Sequence, residues 1–558
     1  MKKNIIYLAA LVMLAVACNK SENDLLPNTD EPVVPEVKMI TETITAINGD
    51  NSASTRAAIA DADGSFSWSA TDLIAVHVSN GKYYITDDFT SGGGNTATFS
   101  VTYPEGESRD AFAVYPASLV AETAANYGQS DATLDLTLPA SYTLAQVSGR
   151  FGTTTPCPMI ATNEAGSGWD FYQLCGMLRL TVNCIPPSTS YLEIDFNGNK
   201  VQGAFSLTSP VTPGTSIIET SPTDDTDDII TITDLGISGW TDGKVINLPL
   251  PTGDYDKVTV TAYNSSNEAI IAITRPFKSS GTYTAARARG RKITATFPVF
   301  SVSSSKRVIF APGNLQATTT DYGANWTWSF AEHQYDYIGN KTNSINNQLK
   351  DAPGEAKANG TVDLFYRSVT GNGYGITNTS ESANPYYGAD FVDWSGLSIG
   401  SYPANYWHTL SETEWKYVVG EDSPIRKPYA TVNGVANARG TKAVVNSVNG
   451  FILFPDRYEG PTADVGTDIV WGAGINSMGA SGWNTTCTLT GWTILEEAGC
   501  VFLPAAGCRN GSTLTDIGSL GAYLHVKYWC RFRFNNAGFD TNESNGYAGS
   551  VRLVHEIN

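Results

Sequence analysis

Leu178-Arg179-Leu180-Thr181-Val182 sets an apolar side chain at every second position, and Leu192-Glu193-Ile194-Asp195-Phe196 and Val258-Thr259-Val260-Thr261-Ala262 repeat the pattern. Strict alternation is the period of a strand with one face buried and one wetted. Leu134-Asp135-Leu136-Thr137-Leu138 alternates in the same way, and Asp72-Leu73-Ile74-Ala75-Val76-His77-Val78 reads as a further strand. Ser91-Gly92-Gly93-Gly94-Asn95 and the acidic run Asp224 to Asp228 read as loops. Turn residues recur every ten or so positions, the spacing expected of β-sandwiches. The chain is therefore expected to be mainly β.

The N-terminus has a different character. Lys2 and Lys3 precede an apolar run from Ile5 to Val16 that ends in Ala15-Val16-Ala17-Cys18. About a dozen apolar residues is too short to span a bilayer and fits the core of a signal peptide. The small residues before Cys18 resemble the box accepted by lipoprotein signal peptidase, which implies cleavage after residue 17 and lipid on Cys18. An ordinary secretory signal that merely contains Cys18 is the alternative. Residues 18–38 are polar, acidic and carry Pro27, Pro32 and Pro35, a composition that cannot bury a core and reads as a tether. Asn19-Lys20-Ser21-Glu22-Asn23-Asp24 resembles the short signals that send some Gram-negative lipoproteins to the outer face of the outer membrane.

Over 558 residues, at roughly 100–200 per domain, three domains are expected. With 35 basic and 55 acidic residues the net charge is −20. Such a surface repels phosphate and argues against nucleic acid as a partner. Besides Cys18 there are Cys157, Cys175, Cys184, Cys487, Cys500, Cys508 and Cys530. None is in a C-x-x-C pair or at zinc-ligand spacing from histidine. In an exported chain either one or two disulfides near the C-terminus or buried free thiols would fit.

Several stretches resemble known families. Ser54-Thr55-Arg56-Ala57, Phe66-Ser67-Trp68, Thr71-Asp72-Leu73-Ile74-Ala75-Val76 and Ala113-Val114-Tyr115-Pro116 follow one another as in the first domain of fimbrillin-like (Mfa-like) lipoproteins. Leu248-Pro249-Leu250-Pro251-Thr252-Gly253 and Gly281-Thr282-Tyr283 resemble features of that family's second domain. The resemblance implies two tandem fimbrillin-like β-sandwich domains, placed at 39–165 and 166–298. Some members are cut after an arginine and polymerise by strand exchange; Arg56 could be such a site, though an exposed loop arginine is the plainer reading.

Residues 299–558 are rich in tryptophan and in Gly and Asn loops. Ser411-Glu412-Thr413-Glu414 reads as a capping box, with Trp415, Val418 and Val419 on one helical face. Thr493 to Gly499 reads as a second helix, with Gly499 near its C-terminal cap. Trp407 to Trp415, Val501-Phe502-Leu503-Pro504-Ala505-Ala506-Gly507-Cys508-Arg509-Asn510-Gly511 and Gly549-Ser550-Val551-Arg552-Leu553-Val554 resemble non-enzymatic paralogues of the formylglycine-generating enzyme. That resemblance implies an α+β C-type-lectin-like domain, with Arg552 packed inside against a carboxylate.

No chemistry stands out. The catalytic elements of the formylglycine-generating branch are absent, and neither Cys500 nor Cys530 matches its copper-binding cysteines. Gly396-Leu397-Ser398-Ile399-Gly400 fits the G-x-S-x-G elbow, but Pro403 follows and no helical pattern does. Asp61-Ala62-Asp63-Gly64 begins like a calcium loop, but Phe66 stands where glycine is needed. Five histidines are scattered: His77, His333, His408, His525 and His555. Neither an enzyme nor a cofactor or metal is expected.

The segment 522–547 interleaves aromatics with arginine and asparagine. It resembles the variable region of C-type-lectin-like proteins diversified by retroelements. Aromatics supply contact area at low entropic cost, and Arg and Asn supply adaptable hydrogen bonds. The candidate ligand-binding residues are Leu524, His525, Lys527, Trp529, Arg531, Arg533, Asn535, Asn536, Phe539, Asp540 and Asn542. A plain core hairpin, with Phe532 and Phe534 inward and Arg531 and Arg533 outward, is the competing reading. The expected function is a surface lipoprotein adhesin or ligand-binding protein whose β stalk presents the last domain to an extracellular protein or glycan. A fimbrial tip or accessory subunit, partnered by fimbrial subunits, is the alternative.

Overall fold

The computed structural model describes residues 37–48, 68–87, 91–93, 95–120, 133–149, 158–162, 168–208, 221–222, 227–278, 281–379, 389–419, 429–460, 467–472, 475, 482–526, 530–535, 539–544 and 546–557. Cys18, the tether up to residue 36, Arg56, the 61–64 turn, Cys157, Lys527, Trp529 and Asn536 lie outside the described residues. The chain is mainly β, with two short α-helices in its last part.

The first sheet has eight strands. From edge to edge they are Lys82–Ile85, Ala75–Val78, Arg109–Tyr115, Met159–Thr162, Trp169–Gln173, Met39–Asn48, Thr96–Pro104 and Ser91–Gly93. Both faces are covered. Val76, Ala113, Tyr115 and Ala161 enter one core, and Ala75, Val114 and Ile160 enter another on the opposite side. Burial on both faces explains why Ala75–Val78 is a continuous buried run rather than an alternating one. At the centre of the first core Trp68 stands edge-on to Phe99, Tyr115 and Phe171, with centroids 5.3, 5.1 and 5.3 Å away. The opposite face is closed by Leu138 and Phe205, from a small sheet formed by Thr133–Leu138, Gly203–Thr208 and Ser221–Pro222.

The second layer system is a sandwich. Gly176–Asn183 pairs antiparallel with Lys244–Leu250 and parallel with Gly290–Thr296. Facing it is a five-stranded sheet in the order Ala269–Pro276, Lys257–Tyr263, Tyr191–Asp195, Ile229–Thr233 and Ser141–Thr143. Leu178, Leu180 and Val182 share one core with Leu192, Ile194, Val258 and Val260, as their alternation requires.

Two sequence expectations need correction. Ser91–Gly93 is not a loop: it pairs with Thr96–Pro104 as a tight hairpin arm, a role that backbone pairing supports without side chains. The division at 165/166 does not follow the sheets. Trp169–Gln173 lies in the first sheet, whereas Ser141–Thr143 and the helix Leu144–Val147 pack into the second core. Alternation reports that a strand is half-buried; it does not report which sheet completes it.

In the last part Phe300–Ser301, Arg307–Phe310 and Val554–Ile557 form one antiparallel sheet, so distant segments close on each other. A five-stranded sheet runs Ile469–Val470, Thr485–Cys487, Gly440–Val445, Val448–Leu453 and Val501–Pro504. The helix Glu412–Val419 has the expected capping box: the Ser411 hydroxyl accepts from Glu414 N at 3.2 Å, and the Glu414 carboxylate accepts from Ser411 N at 2.8 Å. Trp415, Val418 and Val419 are its buried face. The second helix is Leu489–Glu497, longer at its start than expected because Thr488 caps it by accepting from Gly491 N at 3.1 Å. Gly499 adopts φ +85° against Pro298, where a Cβ would collide with that ring.

This part is welded to the second sandwich. Arg307 lies over the Trp240 ring at 4.4 Å, Arg457 pairs with Asp242 at 2.9 Å, and the Cys184 thiol donates to Asp456 O at 3.9 Å. Ile557 reaches into the second core. Cys175, Cys184, Cys487, Cys500 and Cys508 are buried free thiols, so no bridge joins the three C-terminal cysteines among them.

Candidate ligand-binding face

The segment singled out by its aromatic and arginine content becomes a three-stranded antiparallel sheet: Leu520–Leu524, Cys530–Asn535 and Phe539–Ser544. The strand Leu520–Leu524 is wholly buried. Its Gly521 has no room for a Cβ, because the Phe534 ring fills that place. Tyr523 donates from its hydroxyl to Pro504 O at 3.0 Å and accepts there from Asn314 Nδ2 at 3.2 Å. Burial pushes the Tyr523 hydroxyl pKa up.

Two of the proposed contact residues therefore need correction. Leu524 is 6% exposed and packs with Trp394, Trp407 and Leu553, and His525 is 1% exposed. The neighbouring segment explains it: Leu524 N donates to Ser550 O at 2.9 Å and Ser550 N to Ala522 O at 2.8 Å, so the Gly-Ser-Val-Arg stretch clamps this strand inward.

The middle strand splits its residues between two environments. Phe534 is fully buried, 5.6 Å from the Phe451 ring, 6.1 Å from Tyr523 and 6.3 Å edge-on from Trp483. Arg533 and Asn535, its neighbours in sequence, are half-exposed. Phe534 is inward, as the core-hairpin reading expects, with a half-exposed residue on either side of it in sequence. In the backbone register Arg531 stands opposite Glu543, Arg533 opposite Asp540, and Phe534 opposite Phe539, with an irregularity between Arg531 and Arg533. Asn542 is in the same outer strand. Lys442 holds the hairpin from below, donating from Nζ to Asn535 O at 3.3 Å; burial lowers its pKa.

The scaffold beneath is built on two buried guanidiniums. Arg552 donates to Gln334 Oε1 at 2.6 Å, Asn314 Oδ1 at 3.3 Å and Phe502 O at 3.0 Å. The expected carboxylate is replaced by carboxamide and carbonyl oxygens as hydrogen-bond partners; burial, only partly offset by the charges of Tyr523 and Glu496, pulls its pKa down to about 10. Arg509 donates to Thr377 O at 3.0 Å, Gly511 O at 2.8 Å and Leu364 O at 3.1 Å, and lies 4.7 Å over the Tyr366 ring. Gly507, at φ +82°, leaves no space for a Cβ beside Thr515 O. Asn314, Gln334 and Lys442 were not legible as members of this site, since the first two sit more than 200 residues from Arg552 and no local pattern marks them.

Gly396-Leu397-Ser398-Ile399-Gly400 is not a nucleophile elbow. Trp394–Gly396 is a single 3-10 turn, and Ile399 closes a bridge to Tyr402 instead of opening a helix.

No family model and no curated protein matches the chain. Among solved structures it is similar to a proposed cell adhesion protein from Bacteroides uniformis, at 14% identity over 48% of this chain and 94% of that one, with a TM-score of 0.25. A fimbrial assembly protein from Parabacteroides distasonis is similar at 12% identity over 49% and 95%, with a TM-score of 0.23. A C-terminally truncated tip fimbrial protein from Porphyromonas gingivalis is similar at 11% identity over 46% and 94%, with a TM-score of 0.20. Superpositions this loose do not by themselves assign a fold family or a function.

Proposed function

We propose that the protein is a cell-surface lipoprotein adhesin, anchored through Cys18 to the outer membrane, whose fimbrillin-like β units carry a C-type-lectin-like unit outward. Its binding face is the hairpin Cys530–Asn535/Phe539–Ser544 with the turns around it. The observation that supports this reading is the split on one strand: Phe534 fixes the hairpin in the core, while Arg533 and Asn535 are half-exposed beside it. A rigid scaffold with partly exposed polar positions on one side is the arrangement that recognition surfaces use. Lys527, Trp529, Arg531, Arg533, Asn535, Asn536, Phe539, Asp540 and Asn542 are the residues assigned to contact a protein or glycan; Leu524 and His525 belong to the core. Val554–Ile557 is hydrogen-bonded to Arg307–Phe310 within its own unit, which argues against its donation to a neighbour in an open-ended fimbria.

The test is binding of full-length protein to arrays of extracellular glycans and glycoproteins, beside the variant Arg533→Ala/Asn535→Ala. Capture of a discrete set of ligands, weakened about tenfold or more in the variant, is the expected result, about 1.4 kcal/mol of binding free energy. Equal capture by the two proteins would move the ligand site elsewhere.

A further inference from the structure

Where the second sandwich meets the last part of the chain there is a cavity of about 300 Å³. One wall is Arg275, at the end of the strand Ala269–Pro276, with Arg291 and Lys292 from Gly290–Thr296. The other is the turn carrying Tyr458 and Glu459. Three cations and one carboxylate line a small cavity in a chain whose net charge is −20. The local field therefore opposes that of the molecule as a whole and draws anions inward.

The two guanidiniums are not neutralised within the fold. Among the described residues neither Arg275 nor Arg291 makes an ion pair, and the buried Nε of Arg291 has no hydrogen-bond partner. Arg291 is held in place, 5.7 Å over the Tyr283 ring. Elsewhere at the same junction the guanidiniums are engaged: Arg457 on Asp242 and Arg307 beside Asp456 and Trp240. Arg275 and Arg291 differ from them in facing a cavity.

We propose that this junction is an anion-binding site for a carboxylate- or sulfate-bearing group on a ligand no larger than one or two sugar rings. Planar guanidiniums present paired N–H donors that match the two oxygens of such groups. The cavity is at the small end of the range for ligand sites, which sets the size limit. Exposed Glu459 stands at the rim and selects against more highly charged ligands such as polyphosphates. The site is separate from the hairpin face, and because it is walled by both units, its ligand would also brace the junction.

The test uses the full chain and three probes: glucuronate, inorganic sulfate and, as the uncharged control, glucose. Binding is read by calorimetry and by the rise in melting temperature. Both anions are expected to bind at low salt, more weakly at high salt, and glucose not at all. Sulfate binding without glucuronate binding would restrict the site to sulfate esters, a narrower form of the same assignment. In Arg275→Gln/Arg291→Gln the affinity should fall about tenfold or more, while the unliganded melting temperature stays near that of the parent. Arg291→Lys, which keeps the charge but not the planar fork, guards against misfolding of the double variant and should bind less tightly than the parent. The proposal is overturned if no anion binds, if glucose binds equally well, or if binding is undiminished in a folded variant.

Discussion

Phe534 and Arg533 are adjacent in sequence, yet their substitution should have opposite consequences. Phe534 is 0% exposed and touches Phe451, Tyr523 and Trp483 with centroid separations of 5.6, 6.1 and 6.3 Å. Its ring also fills the space where a Cβ at Gly521 would stand. Phe534→Ala removes that ring from a rigid aromatic cluster and should cost about 3–5 kcal/mol. For a cooperative unit of this size, a change of about 1 kcal/mol moves the melting temperature by roughly 2–4 °C, so the transition of the C-terminal part should drop by roughly 6–20 °C. Arg533→Ala, at a half-exposed position, should cost no more than about 1 kcal/mol. Differential scanning calorimetry of the full chain, with one transition assigned to the C-terminal part, reads both values. A melting temperature for Phe534→Ala within a degree or so of the parent, or an equal loss in Arg533→Ala, would refute the two-sided hairpin.

Further outcomes follow from other sites. Asp72 is buried and its pKa is pushed up to about 6, against hydrogen bonds from Ser69 N and the Tyr115 hydroxyl that pull the other way. Because the folded carboxyl holds its proton more tightly than the unfolded one, its contribution is gained as pH falls from about 7 towards 4, to a ceiling of about 3 kcal/mol. Asp72→Asn should therefore stabilise the chain at pH 7.5 but not at pH 4, a difference that urea titrations at the two pH values would show. Cys175, Cys184 and Cys500 are buried and burial holds their thiol pKa values high, so they should resist a thiol reagent in the native protein and react in denaturant; mass spectrometry of the labelled peptides checks this. Cys18→Ser should abolish incorporation of labelled palmitate in cells, and retention of label would disprove lipidation at that position.

What the sequence revealed and what it hid divide along physical lines. Leu178, Leu180 and Val182 announced their strand because alternation is a local property, and Ser411 with Glu414 announced a helix start because a capping box spans four residues. The sheet to which Trp169–Gln173 belongs was hidden, since pairing partners are set by the whole chain. Leu524 and His525 looked like surface residues because they adjoin aromatics and charges; only the clamp from Ser550 reveals that they face inward. Arg552 was legible as buried, but its partners were not: Asn314 and Gln334 are carboxamides supplied from remote loops, and a carboxylate was the simpler expectation. The junction cavity was invisible, because Arg275 and Arg291 come from separate strands and meet only in three dimensions.

The most direct measurement is adherence by cells. Cells displaying the full chain and cells displaying Arg533→Ala/Asn535→Ala at equal surface density are compared on immobilised mucin glycoproteins and on neighbouring bacteria. The account predicts strong adherence to at least one of these by the first and loss of most of it by the second. Equal adherence by the two, or none above cells lacking the gene, would contradict an adhesin that acts through this hairpin.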